Sequence, residues 1–185
     1  MAVPPIAKAT LQAALINAGS NVLAQGIKAY KDERPFELDL QTVFQFTTYA
    51  FISSPLMFLW GEGLEKAFPG FIESEPTKPK ADDDETQKPK LNVKNTVLKI
   101  TIDQTVGAVW NTILFIATLG LLRGEGYEAI LDQIRTDFWP MVIAGLKLWP
   151  LVSIMNFTVV PVDQRLLVGS LFGVVWAVYL SLVSG

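Results

Sequence analysis

The sequence predicts an all-α fold, a polytopic membrane helical bundle with four or five membrane helices plus a short amphipathic connector. Three observations lead there. Half of the 185 residues are hydrophobic and 18% are charged, against about a quarter charged in ordinary soluble domains. Apolar segments long enough to cross a hydrocarbon core of about 30 Å at about 1.5 Å per residue recur along the chain. They are separated by prolines, glycines and charge clusters that stop helices. The chain reads as one membrane domain, 1–185, with an exposed, charged, mobile loop at 69–95.

Taken in order, residues 6–30 are rich in alanine, and Thr10, Asn17, Asn21, Gln25 and Lys28 recur at helical spacing on one face. The polar face of this amphipathic helix hydrogen-bonds to other helices, lies at the membrane interface or lines a wet cavity. The cluster Lys31-Asp32-Glu33-Arg34-Pro35 ends it, and Asp39 is placed to cap the next helix. Residues 40–60 form the second apolar segment, with Gln41, Gln45 and Thr48 on one face, Pro55 as an intramembrane kink and Trp60 as an interfacial anchor. The stretch that follows alternates acidic and basic blocks with Pro76, Pro79 and Pro89, and is too polar to bury a core.

Residues 97–122 are the third apolar segment and carry Asp103 and Gln104 within their first turns. An ionisable group at that depth is costly and points to a functional site. Lys99, one turn earlier on the same face, offers the simpler reading of an intrahelical pair or snorkelling. After the Gly124-Glu125-Gly126 stop and the connector 123–136, residues 137–181 form a hairpin of two apolar arms joined by Val160-Pro161-Val162-Asp163-Gln164-Arg165. The first arm holds Lys147, which must snorkel, pair with Asp103 or face water. It also holds Pro150 as a second kink, with Ser153 and Asn156 continuing the polar side. Gly169 and Gly173 give the second arm a GxxxG close-packing face.

Several function classes are excluded by what the chain lacks. It has neither cysteine nor histidine, which removes disulfides, thiolate metal sites and every Ser-His or Cys-His mechanism. The net charge of -3 without a basic patch sets nucleic acid aside. No phosphate loop, zinc pattern or nucleophile elbow is present, so no enzyme, cofactor or metal is expected. The first residues lack a secretory or presequence pattern, so insertion is expected to depend on internal helices.

The hairpin resembles the C-terminal signature of the Mpv17/PMP22 family of organellar membrane proteins. Trp149-Pro150, Asn156-Phe157, Val160-Pro161, Arg165, Trp176 and Tyr179-Leu180-Ser181 stand in order and at matching spacing. Weaker similarity covers residues 21–25, Pro55 with Trp60, and Asp103-Gln104, while residues 138–140 and 21–25 look closest to the peroxisomal branch. Departures stand at Phe58, Val109, Leu146 and Ser153, where the family commonly has histidine, proline, tryptophan and glutamine.

The resemblance implies a protein of the peroxisomal membrane, or alternatively of the mitochondrial inner membrane, acting as a weakly selective pore for small metabolites. A non-conducting scaffold for organelle membranes is the alternative, and a coupled transporter would need an ion site at Asp103 and Lys147. The expected partners are the lipid bilayer, small metabolites and a second copy of the chain. The pore-lining or interhelical polar candidates are Asn17, Asn21, Gln25, Gln45, Asp103, Gln104, Lys147, Ser153, Asn156 and Arg165.

Overall fold

The computed structural model describes residues 3–72 and 90–183, with side chains as far as Tyr179. Helix α1 spans Pro5–Lys31 and α2 spans Leu40–Ala67; the two-residue strands β1, Phe71–Ile72, and β2, Lys90–Leu91, pair antiparallel. Helix α3, Val93–Ile102, continues through a π-turn, Asp103–Gly107, into α4, Ala108–Leu122. Then follow α5, Tyr127–Gly145, α6, Trp149–Thr158, a 3-10 turn, Val162–Gln164, and α7, Arg165–Val183. The all-α bundle is as expected. Helix α1 packs against α2 and α7, α2 against α4, α3 against α6, and α4 against α5.

Local chemistry sets the boundaries. Asp39 caps α2, accepting from the Thr42 N–H at 3.0 Å and from the Thr42 hydroxyl, and these bonds hold its carboxyl below the usual carboxylate range. Asn92 caps α3 through the Asn95 N–H at 3.1 Å. Gly124, at φ 76, ends α4 in the left-handed conformation that glycine adopts without strain. Helix α2 runs on to Ala67 and passes through Pro55, so that proline sits inside a continuous helix. Pro150 lies in the first turn of α6, where its missing N–H is not needed. The bend of 56° falls just before it, between Gly145 and Trp149. Residues 73–89 of the expected loop lie outside the described residues; of its flanks, β1 and β2 pair and α3 has already begun at Val93.

Burial is inverted relative to a soluble bundle. Thr10, Ser20, Asn21, Gln45, Ser53, Ser54, Thr96, Lys99, Thr118, Ser153 and Arg165 are buried, as numerous as the buried apolar residues, while Leu15, Phe44, Leu59, Val97, Leu121, Ile143 and Leu151 face outward. Apolar side chains outside and polar ones inside suit a hydrocarbon solvent, in which polar groups find their partners within the bundle. Among the described residues, Val93–Leu122 and Val162–Tyr179 are long and apolar enough to cross a membrane, and α5 with α6 makes a third if the bent pair is one span. Helices α1 and α2 have the length, at 27 and 28 residues, but their inward polar residues dilute their hydropathy. An expected count of five crossings includes both, and a count of four leaves α1 on the surface; the described residues support two or three by length and hydropathy.

A polar seam between α2, α3 and α6

Helix α2 and the α3–α4 helix run antiparallel with their polar residues in contact. As α2 is followed back from Glu65 through Trp60 to Tyr49, the partners advance from Lys99 through Asp103 to Asn111. Helix α6 closes the seam with Ser153, and its Phe157 reaches the end where α7 begins.

At that end, beyond the apolar segment 40–60, Glu65 Oε2 accepts from Lys99 Nζ at 2.6 Å and from the Arg165 guanidinium at 2.8 Å. Its other oxygen accepts the Gly70 N–H at 2.6 Å. Lys99 is completely buried and lies 5.3 Å from the Phe157 ring centre; the Arg165 guanidinium carbon lies 5.0 Å from the same ring. Two cations therefore share one carboxylate and one aromatic ring, an arrangement whose ring quadrupole partly replaces a second anion. Burial of Glu65 opposes its ionisation, but Lys99, Arg165 and the Gly70 N–H outweigh it and hold the carboxyl below its usual range. Lys99 thus pairs across to α2 and not with Asp103 on its own helix.

About one turn deeper, Asp103 receives the Trp60 indole N–H at 3.0 Å on Oδ1. On Oδ2 it receives the Ser153 hydroxyl and the Gln104 amide at 3.2 Å. Gln104 also donates to Ser153 Oγ at 2.8 Å. Among the described residues no cation pairs with Asp103; neutral donors from three helical segments surround it. The π-turn starts at Asp103, with the Ala108 N–H reaching back to its carbonyl, and such single turns widen a helix where a side chain must be re-aimed. Gly107 completes the site: a Cβ there would lie 3.2 Å from both Asp103 Oδ1 and Trp60 Nε1. Further along, Tyr49 donates to Asn111 Oδ1 at 2.9 Å beneath the edge of Phe115.

The remaining expected residues divide. Arg165 and Gln104 belong to the seam. Asn156 sends a long 3.5 Å bond to the Arg165 carbonyl and leaves its Oδ1 without a partner among the described residues. Asn21 and Gln25 instead fasten the α1–α2 connection: Gln25 donates to Asn21 Oδ1 and to the Asp39 carbonyl, and accepts the Asp39 N–H at 2.8 Å. Asn17 is partly buried on α1 and Gln45 is buried on α2. Lys147 is exposed and donates to the Tyr179 hydroxyl at 2.9 Å, over a Trp149–Trp176–Tyr179 aromatic group. It does not pair with Asp103, because the bend before Trp149 turns it outward. A Cβ at Gly169 or Gly173 would meet nothing within 4 Å, so the GxxxG face receives no close-packed helix from the described residues of this protomer.

Sequence reasoning missed Glu65, Trp60 as a donor, and the Tyr49–Asn111 bond. The one usable signal was that a lysine as deep as Lys99 needs an anion; that Glu65 supplies it across 34 residues is decided by packing. Among the described residues no group of three or more acidic side chains is placed to hold a metal.

The profile of the Mpv17 / PMP22 family matches residues 120–181, which run from the end of α4 through α7. Protein sym1 of Schizosaccharomyces pombe is 26% identical over 96% of this chain and 84% of its own length. PXMP2/4 family protein 4 of Dictyostelium discoideum is 21% identical over 96% and 85%. No solved structure matches. PXMP2/4 family protein 3 of Dictyostelium discoideum is 30% identical over 97% of this chain and 84% of its own length, and with that near-complete match the chain belongs to the Mpv17/PMP22 family.

Proposed function

We propose that this protein is a non-enzymatic, weakly selective pore for small solutes in an organellar membrane, and that solute passes along the seam of α2, α3–α4 and α6. The observation that carries the reading is the incomplete satisfaction of that seam. Among the described residues, Thr96 Oγ1 on α3, Trp110 Nε1 on α4 and Asn156 Oδ1 on α6 are buried without partners, and the Asp103 carboxylate in the same helix assembly has only neutral donors. Each unpaired group costs about 1–3 kcal/mol, a cost that entering water removes. The bonds from Trp60 and Ser153 to Asp103 and from Gln104 to Ser153 cross the seam and close it, and on this reading the arrangement corresponds to a shut state. In an open one the same groups replace part of a solute's hydration and set its charge preference.

The scaffold reading is favoured by the opposite aspect of the same site, the mutual bonding of Glu65, Lys99 and Arg165 and of Tyr49 with Asn111, which needs no solute. Purified protein in planar bilayers separates the two. A pore conducts, and Asp103→Asn and Ser153→Ala alter its unit conductance or ion selectivity. Absence of conductance leaves the scaffold, and unaltered conductance in both variants removes the seam from the path.

Of the two expected organelles, the presence of Sym1 proteins among the relatives leads us to favour the mitochondrial inner membrane over the peroxisomal one. Co-localisation of a tagged copy with markers of each membrane decides between them.

A further inference from the structure

The connection between α1 and α2 walls a partly enclosed recess of about 590 Å³, a volume in the range of small-molecule sites. Its shape is set by the protein's own bonds. Gln25 accepts the Asp39 N–H at 2.8 Å and donates to the Asp39 carbonyl at 3.1 Å. The connection turns through bonds from the Glu33 N–H to the Tyr30 carbonyl and from the Arg34 N–H to the Ala29 carbonyl. Glu33 stands at φ 50, in the left-handed region that crowds any residue carrying a Cβ. The fold therefore accepts backbone strain to hold Arg34 and Glu37 where they are, and a recess held in shape beforehand loses less when it is filled.

Some of the polar groups around this recess are already engaged. Both carboxylate oxygens of Asp39 accept from Thr42, and Gln25 is occupied by Asp39 and Asn21. Lys28 on α1 and Arg34 and Glu37 on the connection remain. Among the described residues the side chains of Lys28 and Glu37 pair neither with each other nor with any other group. Arg34 is held only by an exposed 3.6 Å pair with Asp32, of a kind that contributes little. Charges of both signs thus line one recess without neutralising each other, and Ala29, Pro35 and Leu38 supply apolar wall between them.

We propose that the recess binds a small zwitterionic metabolite, an α-amino acid with an apolar side chain. Its carboxylate meets the Arg34 guanidinium, whose planar fork matches a carboxylate, with Lys28 beside it. Its ammonium meets Glu37, and its side chain lies on Ala29, Pro35 and Leu38. A ligand with one charge would leave the opposite charge of the recess unanswered, whereas a zwitterion answers both. Binding here needs no conduction through the seam.

The test uses the full chain in detergent and radiolabelled L-phenylalanine in equilibrium dialysis. Saturable binding is expected. N-acetyl-L-phenylalanine, which lacks the ammonium, and L-phenylalaninamide, which lacks the carboxylate, should each compete about tenfold more weakly, the loss of one charge-assisted bond. Glu37→Gln should weaken the amino acid to the level of its N-acetyl derivative while leaving that derivative's own affinity unchanged, and Arg34→Gln should do the same with respect to the amide. Both side chains are exposed, so the melting profiles should match wild type. Absence of saturable binding, or binding that neither variant weakens, would overturn the site. Competition by either derivative as strong as by the amino acid itself would overturn the zwitterion assignment.

Discussion

Lys99 reaches across to Glu65 at 2.6 Å although Asp103 stands one turn away on the same helical face. The choice follows from geometry. Asp103 is already filled by Trp60, Ser153 and Gln104, whereas Glu65, next to the Gly70 turn, has an oxygen open to both Lys99 and Arg165. One end of the bundle is thereby tied together by charge and its interior by neutral donors.

Glu65→Gln leaves Lys99 and Arg165 buried against the same ring with no anion. Removing one partner of a buried ion pair costs about 3–5 kcal/mol, so a loss of that order is expected in detergent unfolding titrations. Because the folded carboxyl lies below its usual range, the wild type keeps this contribution above the unfolded value of about pH 4.3 and loses it as pH falls further, through the folded value. The Glu65→Gln protein should show a flatter acid limb over that window. Parallel pH profiles for the two proteins would contradict the assignment.

A double-mutant cycle on Asp103→Asn and Ser153→Ala should return a coupling of about 0.5–3 kcal/mol, as for residues in one hydrogen-bond network. The cycle on Asp103→Asn and Lys147→Ala should be additive within about 0.5 kcal/mol, since Lys147 is bonded to Tyr179 instead. Strong coupling in the second cycle would restore the Asp103–Lys147 pair.

Gly107→Ala sets helix propensity against packing. Alanine gains about 1 kcal/mol over glycine in a helix interior, but the new methyl would press on Asp103 and Trp60 at 3.2 Å, and overpacking costs about 1–3 kcal/mol. Net destabilisation of about 1 kcal/mol is expected, together with a shift in tryptophan emission that Trp60→Phe abolishes. A stabilised Gly107→Ala protein would show that the seam yields at this point.

Gly169→Ala and Gly173→Ala should each stabilise the protein by up to about 1 kcal/mol, since both lie inside α7 and a methyl group at either position would meet nothing within 4 Å. Crosslinking measures the remaining possibility directly. If the alanine pair lowers the yield of crosslinked dimer, the close-packing face serves a second copy; an unchanged yield leaves it facing lipid.

Much of this molecule was legible in the order of its residues. Runs of apolar residues broken by Lys31–Pro35, Gly124–Gly126 and Val160–Arg165 mark the helices, because a helix forms and stops through interactions within a few residues. The cap at Asp39 and the cost of Asp103 were readable for the same reason. What the local pattern could not supply is who answers each polar group. Arg165 meets Glu65 over a separation of 100 residues, Tyr49 meets Asn111 over 62, and Gln25 turns out to hold a loop where a wet stripe was one expectation. Those pairings depend on the antiparallel register of α2 with α3–α4, on the π-turn that re-aims Asp103, and on the bend that carries Lys147 away from it. In hydrocarbon an unpaired polar group is expensive wherever it lies, so composition alone dictates that partners exist, and only the packing of the helices decides which ones they are.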